Sequence, residues 1–247
     1  MTGPAWITPD WPAPPTVRAL ATTRSGGVSE PPYGSLNLAG HVGDEPEQVQ
    51  ENRRRLRRAV PLPAEPLWLA QAHGTVVVDA ACARAGVVAD GSFSRHPGLV
   101  CTVLTADCLP LLLCDTGGTV VAAVHAGWRG LAAGIIEQAV RALGRPGRRL
   151  LAWLGPAIGP TAFEVGPEVR QAFIQQDAAA EHAFHPGRGD RYLANLYALA
   201  RQRLARVHVT AVYGGHWCTV GDAERFFSYR RDGLTGRMAA LVWLAPC

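Results

Sequence analysis

No stretch of the 247 residues approaches the roughly 20 consecutive apolar residues of a membrane span, so no membrane-embedded role is expected. The first fifteen residues are rich in proline and lack a basic start followed by an apolar stretch. They read as an N-terminal extension rather than a secretory signal. There is no C-x-x-C, no H-E-x-x-H and no G-x-G-x-x-G after a strand-like run, which removes common zinc, redox and dinucleotide fingerprints. Six cysteines in so long a chain do not make the framework of a small disulfide-stapled domain. Cys82, Cys101 and Cys114 lie in apolar surroundings and are expected as buried thiols, with the cytoplasm as the compartment. The formal net charge is only +4, and no basic stripe with interleaved aromatic residues points to a nucleic-acid partner.

What is present is ordinary globular composition, 48% apolar and 18% charged, in a chain long enough to bury a substantial core. Strands are expected at residues 17–23, 68–70 and 75–78, and a Gly-, Ser- and Pro-dense loop at 24–38. A helix is expected over 46–60, with Asp44 as N-cap, Pro46 near its start and Val49, Leu56 and Val60 on one face. It carries the one basic run, Arg53, Arg54, Arg55, Arg57 and Arg58, as a largely solvated face. Continuous β-prone runs at 99–105, 109–114 and 119–124 read as strands covered on both sides. A helix over 130–143 stopping at Gly144 follows, then a strand at 150–154, helices around 167–175 and 191–206, and strands at 207–212, 226–229 and 237–244. Helices and strands mix without strict alternation, which gives an α+β fold of one domain, 1–247, with mixed sheets covered by helices.

Three segments share a format, a reactive side chain at the end of an apolar run beside Gly or Pro: Gln71-Ala72-His73-Gly74, Thr105-Ala106-Asp107-Cys108-Leu109-Pro110 and Val124-His125-Ala126-Gly127-Trp128-Arg129-Gly130. Such positions can project a side chain into a cleft. A catalytic zinc usually takes three protein ligands and leaves one position open. Spacing alone leaves both a three-ligand site and ordinary hydrogen-bonded strand-end residues open.

ADCLPLLLCD (106–115), AVHAGWRGLAAGI (123–135), AWLGPAIGPTAFEVGPEV (152–169) and FFSYRRDGLTGRMAALVWL (226–244) resemble the hallmark segments of the YfiH family, the bacterial laccase-domain or polyphenol-oxidase-like proteins. The resemblance extends back through HVGDEPEQVQENRRRL to TTRSGGVSEPPYGSLNL at residue 22. It implies a four-layer α/β/β/α sandwich with mixed sheets, like the cytotoxic necrotising factor catalytic domain. It implies zinc or copper on His73, Cys108 and His125. It also implies phosphorolysis of adenosine, inosine and methylthioadenosine, with adenosine deamination as a side activity. Asn37 and Arg53 match family positions near the substrate. Ala72 replaces a frequent Val, and His216-Trp217 replace a commonly charged pair, a change expected at the rim of the site.

Within that picture Arg129, beside a helix start, suits phosphate. Asp107 or Asp90 suits proton transfer in deamination, or, for Asp107, orientation of a ligand histidine. His41 is a fourth ligand, a proton carrier or a loop histidine, the last two favoured. His182 and His185 are expected in solvent. The C-terminal group Tyr229, Arg230, Arg231, Asp232, Thr235 and Arg237 is expected to tie strands together rather than act on substrate. A Cys108–His hydrolase editing cell-wall precursors, a single-copper polyphenol oxidase and a non-catalytic nucleotide-binding module are the alternatives. A full multicopper centre is excluded, because only eight histidines are present and none are paired as H-x-H. The expected partners are a purine nucleoside and phosphate, and the expected state is a monomer or weak homo-oligomer.

Overall fold

The structure is a computed structural model that describes residues 3–246. Its centre is made by the apolar runs. Val100–Thr105, Leu109–Asp115, Val121–Ala126, Leu150–Leu154 and Met238–Leu244 are buried at every position, as strands covered on both faces must be. They divide between two sheets. The larger runs Ala211–Gly214, Leu150–Leu154, Leu109–Asp115, Val121–Ala126, Gly91–Ser94, Val77–Asp79. It is mixed, with parallel pairs at both edges and antiparallel pairs between. The smaller runs Trp6–Ile7, Val17–Thr22, Met238–Leu244, Val100–Thr105 and is antiparallel throughout. A three-stranded ribbon, Phe184–Pro186, Tyr192–Ala194 and Glu164–Val165, stands apart from both.

Side-chain alternation along each strand assigns the layers. Leu112 and Cys114, with Val121 and Ala123 of the neighbouring strand, face Cys101, Val103, Ala240 and Val242 of the other sheet. The intervening Leu111, Leu113, Ala122 and Val124 face the opposite way, onto Ile135, Ile136, Ala139 and Leu204. Those residues belong to the helices Ile135–Leu143 and Leu196–Arg206. Leu56 of the helix Pro46–Ala59 covers the outer face of the smaller sheet with Leu20, Leu104, Leu241 and Trp243. The order is helix, sheet, sheet, helix, an α+β sandwich of four layers. Among the described residues no helix is long and apolar enough to cross a membrane.

Several local expectations change. Gly91–Ser94 is a fully buried strand, but Gly-Ser-Phe-Ser has no apolar run to announce it. The 119–124 strand moves to Val121–Ala126, and 75–78 to Val77–Asp79. Residues 68–70 give one isolated bridge, Ala70 with Val88, and a second lies just before them at Leu67 with Cys101. The 130–143 helix begins earlier and is two, Trp128–Ala133 and Ile135–Leu143, because Gly134 sits between them at φ 96°, a left-handed conformation that breaks the ladder. The 191–206 helix is a strand followed by Leu196–Arg206, and the 207–212 strand is Ala211–Gly214. The 226–229 strand is absent. Phe226 and Phe227 are buried against Ala106 and Met238, and Ser228 caps the short helix Tyr229–Asp232 by accepting from the Arg231 N–H. Asp44 is not a helix cap. Its carboxylate accepts from the Ser29 hydroxyl and the Asn37 amide. Cys101 and Cys114 are buried as expected, whereas Cys82 is exposed.

The sheet-to-sheet layer predicts its own sensitivity. Leu112→Ala, which empties space between the two sheets, should lower stability by about 2–5 kcal/mol, read as a reduced urea midpoint with an unchanged slope.

Candidate metal centre

The register of one hairpin brings two of the three expected ligands together. Leu109 pairs with Ala126 and Pro110 with His125, so Cys108, one residue before its strand, arrives beside His125 near the end of the other. His73 comes from the turn that precedes Val77–Asp79. One donor atom from each of His73, Cys108 and His125 lies within 4.8 Å of the others. Cys108 Sγ is 3.9 Å from His73 Nε2, and the two imidazoles stand edge to face with centroids 4.8 Å apart.

Asp90 holds this arrangement. It is 1% exposed and precedes the strand Gly91–Ser94. Its carboxylate accepts the backbone N–H groups of Ala72, His73 and Gly74 at 3.2, 2.9 and 2.6 Å. It also accepts His125 Nδ1–H at 2.8 Å, while its own carbonyl accepts the His125 backbone N–H at 2.7 Å. Three consecutive N–H groups turned to one carboxylate keep His73 at φ 58°, a conformation histidine seldom adopts. A carboxylate only accepts, so Nδ1 of His125 carries a proton and Nε2 is the nitrogen turned to the cluster, available to a metal once its own proton has left. Burial alone would raise the Asp90 pKa, but the bonds from His125 and Gly74 outweigh it and hold the group below the usual carboxylate range.

Space and charge both fit a cation. A Cβ added at Gly127 would stand 3.0 Å from Cys108 Sγ, 3.1 Å from His73 Cδ2 and 3.5 Å from His125 Cε1, so the absence of a side chain there keeps the middle of the cluster open. A Cβ at Gly130 would meet the Gly74 carbonyl at 2.7 Å. The helix Trp128–Ala133 is thereby seated directly on the His73-Gly74 turn. Burial would push the Cys108 thiol up, yet His125 and His73 outweigh it and bring it down to about 6. Burial pushes His125 down, and Cys108 and Asp90 carry it up to about 9. The sulfur is therefore a thiolate at neutral pH, the form that ligates metals and attacks electrophiles. Tetrahedral zinc with ordinary bond lengths needs sulfur and nitrogen about 3.5 Å apart, against 3.9 Å between Cys108 Sγ and His73 Nε2, so the donors would draw in slightly on an ion. Two imidazoles and a thiolate suit zinc or copper.

A cavity of about 400 Å³ opens over the donors, within the roughly 300–1,000 Å³ of small-molecule sites. His41, Gln71, Tyr229 and Arg237 complete much of its lining, and no carboxylate does. Gln71 is held by the backbone, with both ends of its amide bonded to Leu104. His41 stands outside the three-donor group. Burial first, then Arg237 and Arg53, hold it below the ordinary histidine pKa.

Other expected residues lie elsewhere. Asn37 is fully buried. Its amide donates to the Ala39 carbonyl and Asp44, and accepts the backbone N–H groups of Ala39 and Arg237, so nothing remains for a substrate. Arg53 directs Nε and Nη2 at the Leu38 carbonyl and lies over Trp68, outside the cavity lining. Arg129 is exposed over Trp128, also outside it. Asp107 turns away from its neighbour Cys108 at φ 86°. Its oxygens accept from Thr219 Oγ1 at 2.5 Å and the Arg230 N–H at 2.6 Å. The carboxylate on a ligand histidine is Asp90. His216 and Trp217 line a separate groove with Cys218 and Tyr197, not the rim of this cavity. His182 and His185 are exposed as expected. Arg231 does tie the C-terminal segment together through the carbonyls of Thr219, Val220 and Phe226. Tyr229 and Arg237, grouped with it in sequence, instead face the cavity.

Comparison with known proteins adds to this. A family model described as "Multi-copper polyphenol oxidoreductase laccase" matches residues 18–245. A Pseudomonas aeruginosa protein named purine nucleoside phosphorylase is 58% identical, over 97% of this chain and 98% of its own. The Escherichia coli protein named purine nucleoside phosphorylase YfiH is 56% identical, over 96% and 98%. Among solved structures, a Neisseria meningitidis protein superposes with a TM-score of 0.94 at 51% identity, over 98% of this chain and 99% of that one. YlmD from Geobacillus stearothermophilus gives 0.90 at 27%, over 100% and 98%.

Two substitutions probe the centre without touching a donor. Asp90→Asn should weaken metal affinity about 10- to 100-fold, measured by competition with a chromophoric chelator. Gly127→Ala, whose backbone tolerates a side chain at φ −63°, should lower metal occupancy by intruding on the cluster. Full occupancy in both variants would show that neither the carboxylate nor the open space matters to the centre.

Proposed function

The chain belongs to the family described as multi-copper polyphenol oxidoreductase laccase, which its YfiH-named relatives share, and from that membership and the cavity we propose that it is a metal-dependent purine nucleoside phosphorylase. The observation that carries this reading is the convergence of His73, Cys108 and His125 at one wall of a cavity whose lining also holds an arginine. The donor set favours zinc or copper. When bound, the ion would supply Lewis acidity at the inner end of the cavity. The family's descriptive name suggests several coppers, but among the described residues His73, Cys108 and His125 are the one group of three suited to a metal. All eight histidines lie in that range.

Phosphorolysis breaks the bond from ribose C1′ to the purine nitrogen and forms one from C1′ to a phosphate oxygen, while the purine leaves with a proton. This chain's residues have definite parts in it. Tyr229, 61% exposed, offers its ring at the mouth as a face for the base. His41, neutral at pH 7 on the direction of its shift, can donate a hydrogen bond to the departing purine through one ring nitrogen. Gln71 has each end of its amide held by Leu104, which leaves one N–H and one oxygen lone pair, so it can meet a 6-amino or a 6-oxo group alike. Acceptance of the 6-amino purines adenosine and methylthioadenosine beside the 6-oxo purine inosine is in line with that indifference. Deamination is a minor activity in this reading, since zinc deaminases use a nearby carboxylate and both Asp90 and Asp107 are engaged elsewhere. We read the whole chain as one catalytic domain. The five described cysteines are all free, which suits a reducing cytoplasm.

A second reading has an observation of its own. A Cys108 thiolate beside a protonated His125, the state their opposed shifts favour, is the resting pair of a cysteine hydrolase. Metal content separates the two readings, because a coordinated sulfur is not a free nucleophile.

Purified protein should release base and ribose 1-phosphate from inosine only when phosphate is present. Cys108→Ala should remove that release and most of the bound metal together. Undiminished phosphorolysis after the metal has been removed by a chelator would overturn the metal-dependent reading. Amide hydrolysis under the same metal-free conditions would favour the second one.

A further inference from the structure

We infer that Arg237, at the start of the strand Met238–Leu244, is the docking point for the anionic co-substrate, and that the ligand it takes is inorganic phosphate. This rests on the phosphorylase reading and adds the place of the second substrate. The chain contains no lysine, so apart from a protonated histidine every cationic side chain available to an anion is a guanidinium. Arg237 is the arginine in the cavity lining, whereas Arg53 and Arg129 lie outside it.

The guanidinium of Arg237 is anchored and yet free to bind. Nη1 donates to the carbonyls of Thr235 and Gly236 at 2.8 and 3.0 Å. Among the described residues Nε and Nη2 have no hydrogen-bond partner, and no carboxylate lies within ion-pair distance of the group. One edge of a planar fork is thus fixed and the other left with parallel donors, the geometry that a tetrahedral oxyanion takes in two bonds. The backbone behind it is rigid. The Arg237 N–H is held by the buried Asn37, its carbonyl accepts from the Leu38 N–H, and a Cβ on Gly236 would stand 2.7 Å from Phe227 and 2.9 Å from Asn37. Asn37 therefore acts as a positioning residue, which explains its burial. No carboxylate lines the cavity; the negative charges felt by Arg237 are those of Cys108, which a bound metal would neutralise, and of Asp107, which is hydrogen-bonded to Thr219 and the Arg230 N–H. His41 on the same lining adds a neutral hydrogen-bonding group. The anion would share the cavity with the metal donors.

Calorimetric titration of the metal-loaded protein with inorganic phosphate tests this directly. Wild type should bind phosphate, and Arg237→Gln should bind it about 10- to 100-fold more weakly, with unchanged metal content and thermal midpoint. The KM for phosphate should rise by a similar factor while that for inosine stays within about twofold. Arg129→Gln should match wild type. Loss of phosphate binding in Arg129→Gln but not in Arg237→Gln, or equal binding by all three proteins, would overturn the assignment. Should Arg237→Gln fail to fold, wild type alone decides. Phosphate should protect Arg237 from phenylglyoxal, read by peptide mass mapping, and modification at an unchanged rate would refute the proposal. Phosphate binding that depends on Arg237 without any phosphorolysis of nucleosides would leave this site standing and remove the phosphorylase reading.

Discussion

The site depends on one buried carboxylate. Asp90 gathers three consecutive backbone N–H groups and one imidazole N–H, and each bond acts on a different part of the centre. The backbone bonds hold the turn that presents His73. The imidazole bond fixes the tautomer and direction of His125. Desolvating a carboxylate costs several kcal/mol, and here four donors offset it, two of them carried by His73 and His125 themselves. Removing the charge would loosen both histidines at once. Cys108 needs no such support, because the hairpin register places it.

The two sides of the cavity come from different sheets and different kinds of constraint. The donors lie at one end of the larger sheet, stiffened by strands buried on both faces and by the helix Trp128–Ala133 seated against the His73 turn. Arg237 and Tyr229 come from the start of the last strand and the short helix before it, held through Asn37 and Phe227. A ligand spanning the cavity therefore spans both sheets. That geometry suits a reaction with two substrates, one oriented by the metal side and the other by a cation.

Most of the central strands were legible, because continuous apolar runs such as Leu109–Asp115 and Met238–Leu244 admit few other readings. Gly91–Ser94 was not, since a strand of small and polar residues has no hydrophobic signature, and with it went the particular importance of Asp90. The helix after His125 was misread as one because the period of its apolar residues continues across Gly134, and only the backbone conformation there shows the break. Arg129 was the natural choice for an anion because it neighbours a ligand in sequence. On the helix its side chain points outward over Trp128, while Arg237, 112 positions after His125 in the chain numbering, faces the same cavity.

The amino-acid sequence by itself determined the α+β class, the buried strands and, through its resemblance to a family, which three side chains to expect as donors. These follow from local patterns of apolarity and from motif text, which the chain carries in linear order. Only the tertiary structure decided which carboxylate orients His125, that Asn37 supports rather than binds, and which arginine shares the cavity with the donors. Those are questions of direction and distance between residues remote in the chain, set by strand register and by backbone turns at His73 and Asp107, where a left-handed backbone in place of an extended one chooses the face on which a side chain emerges.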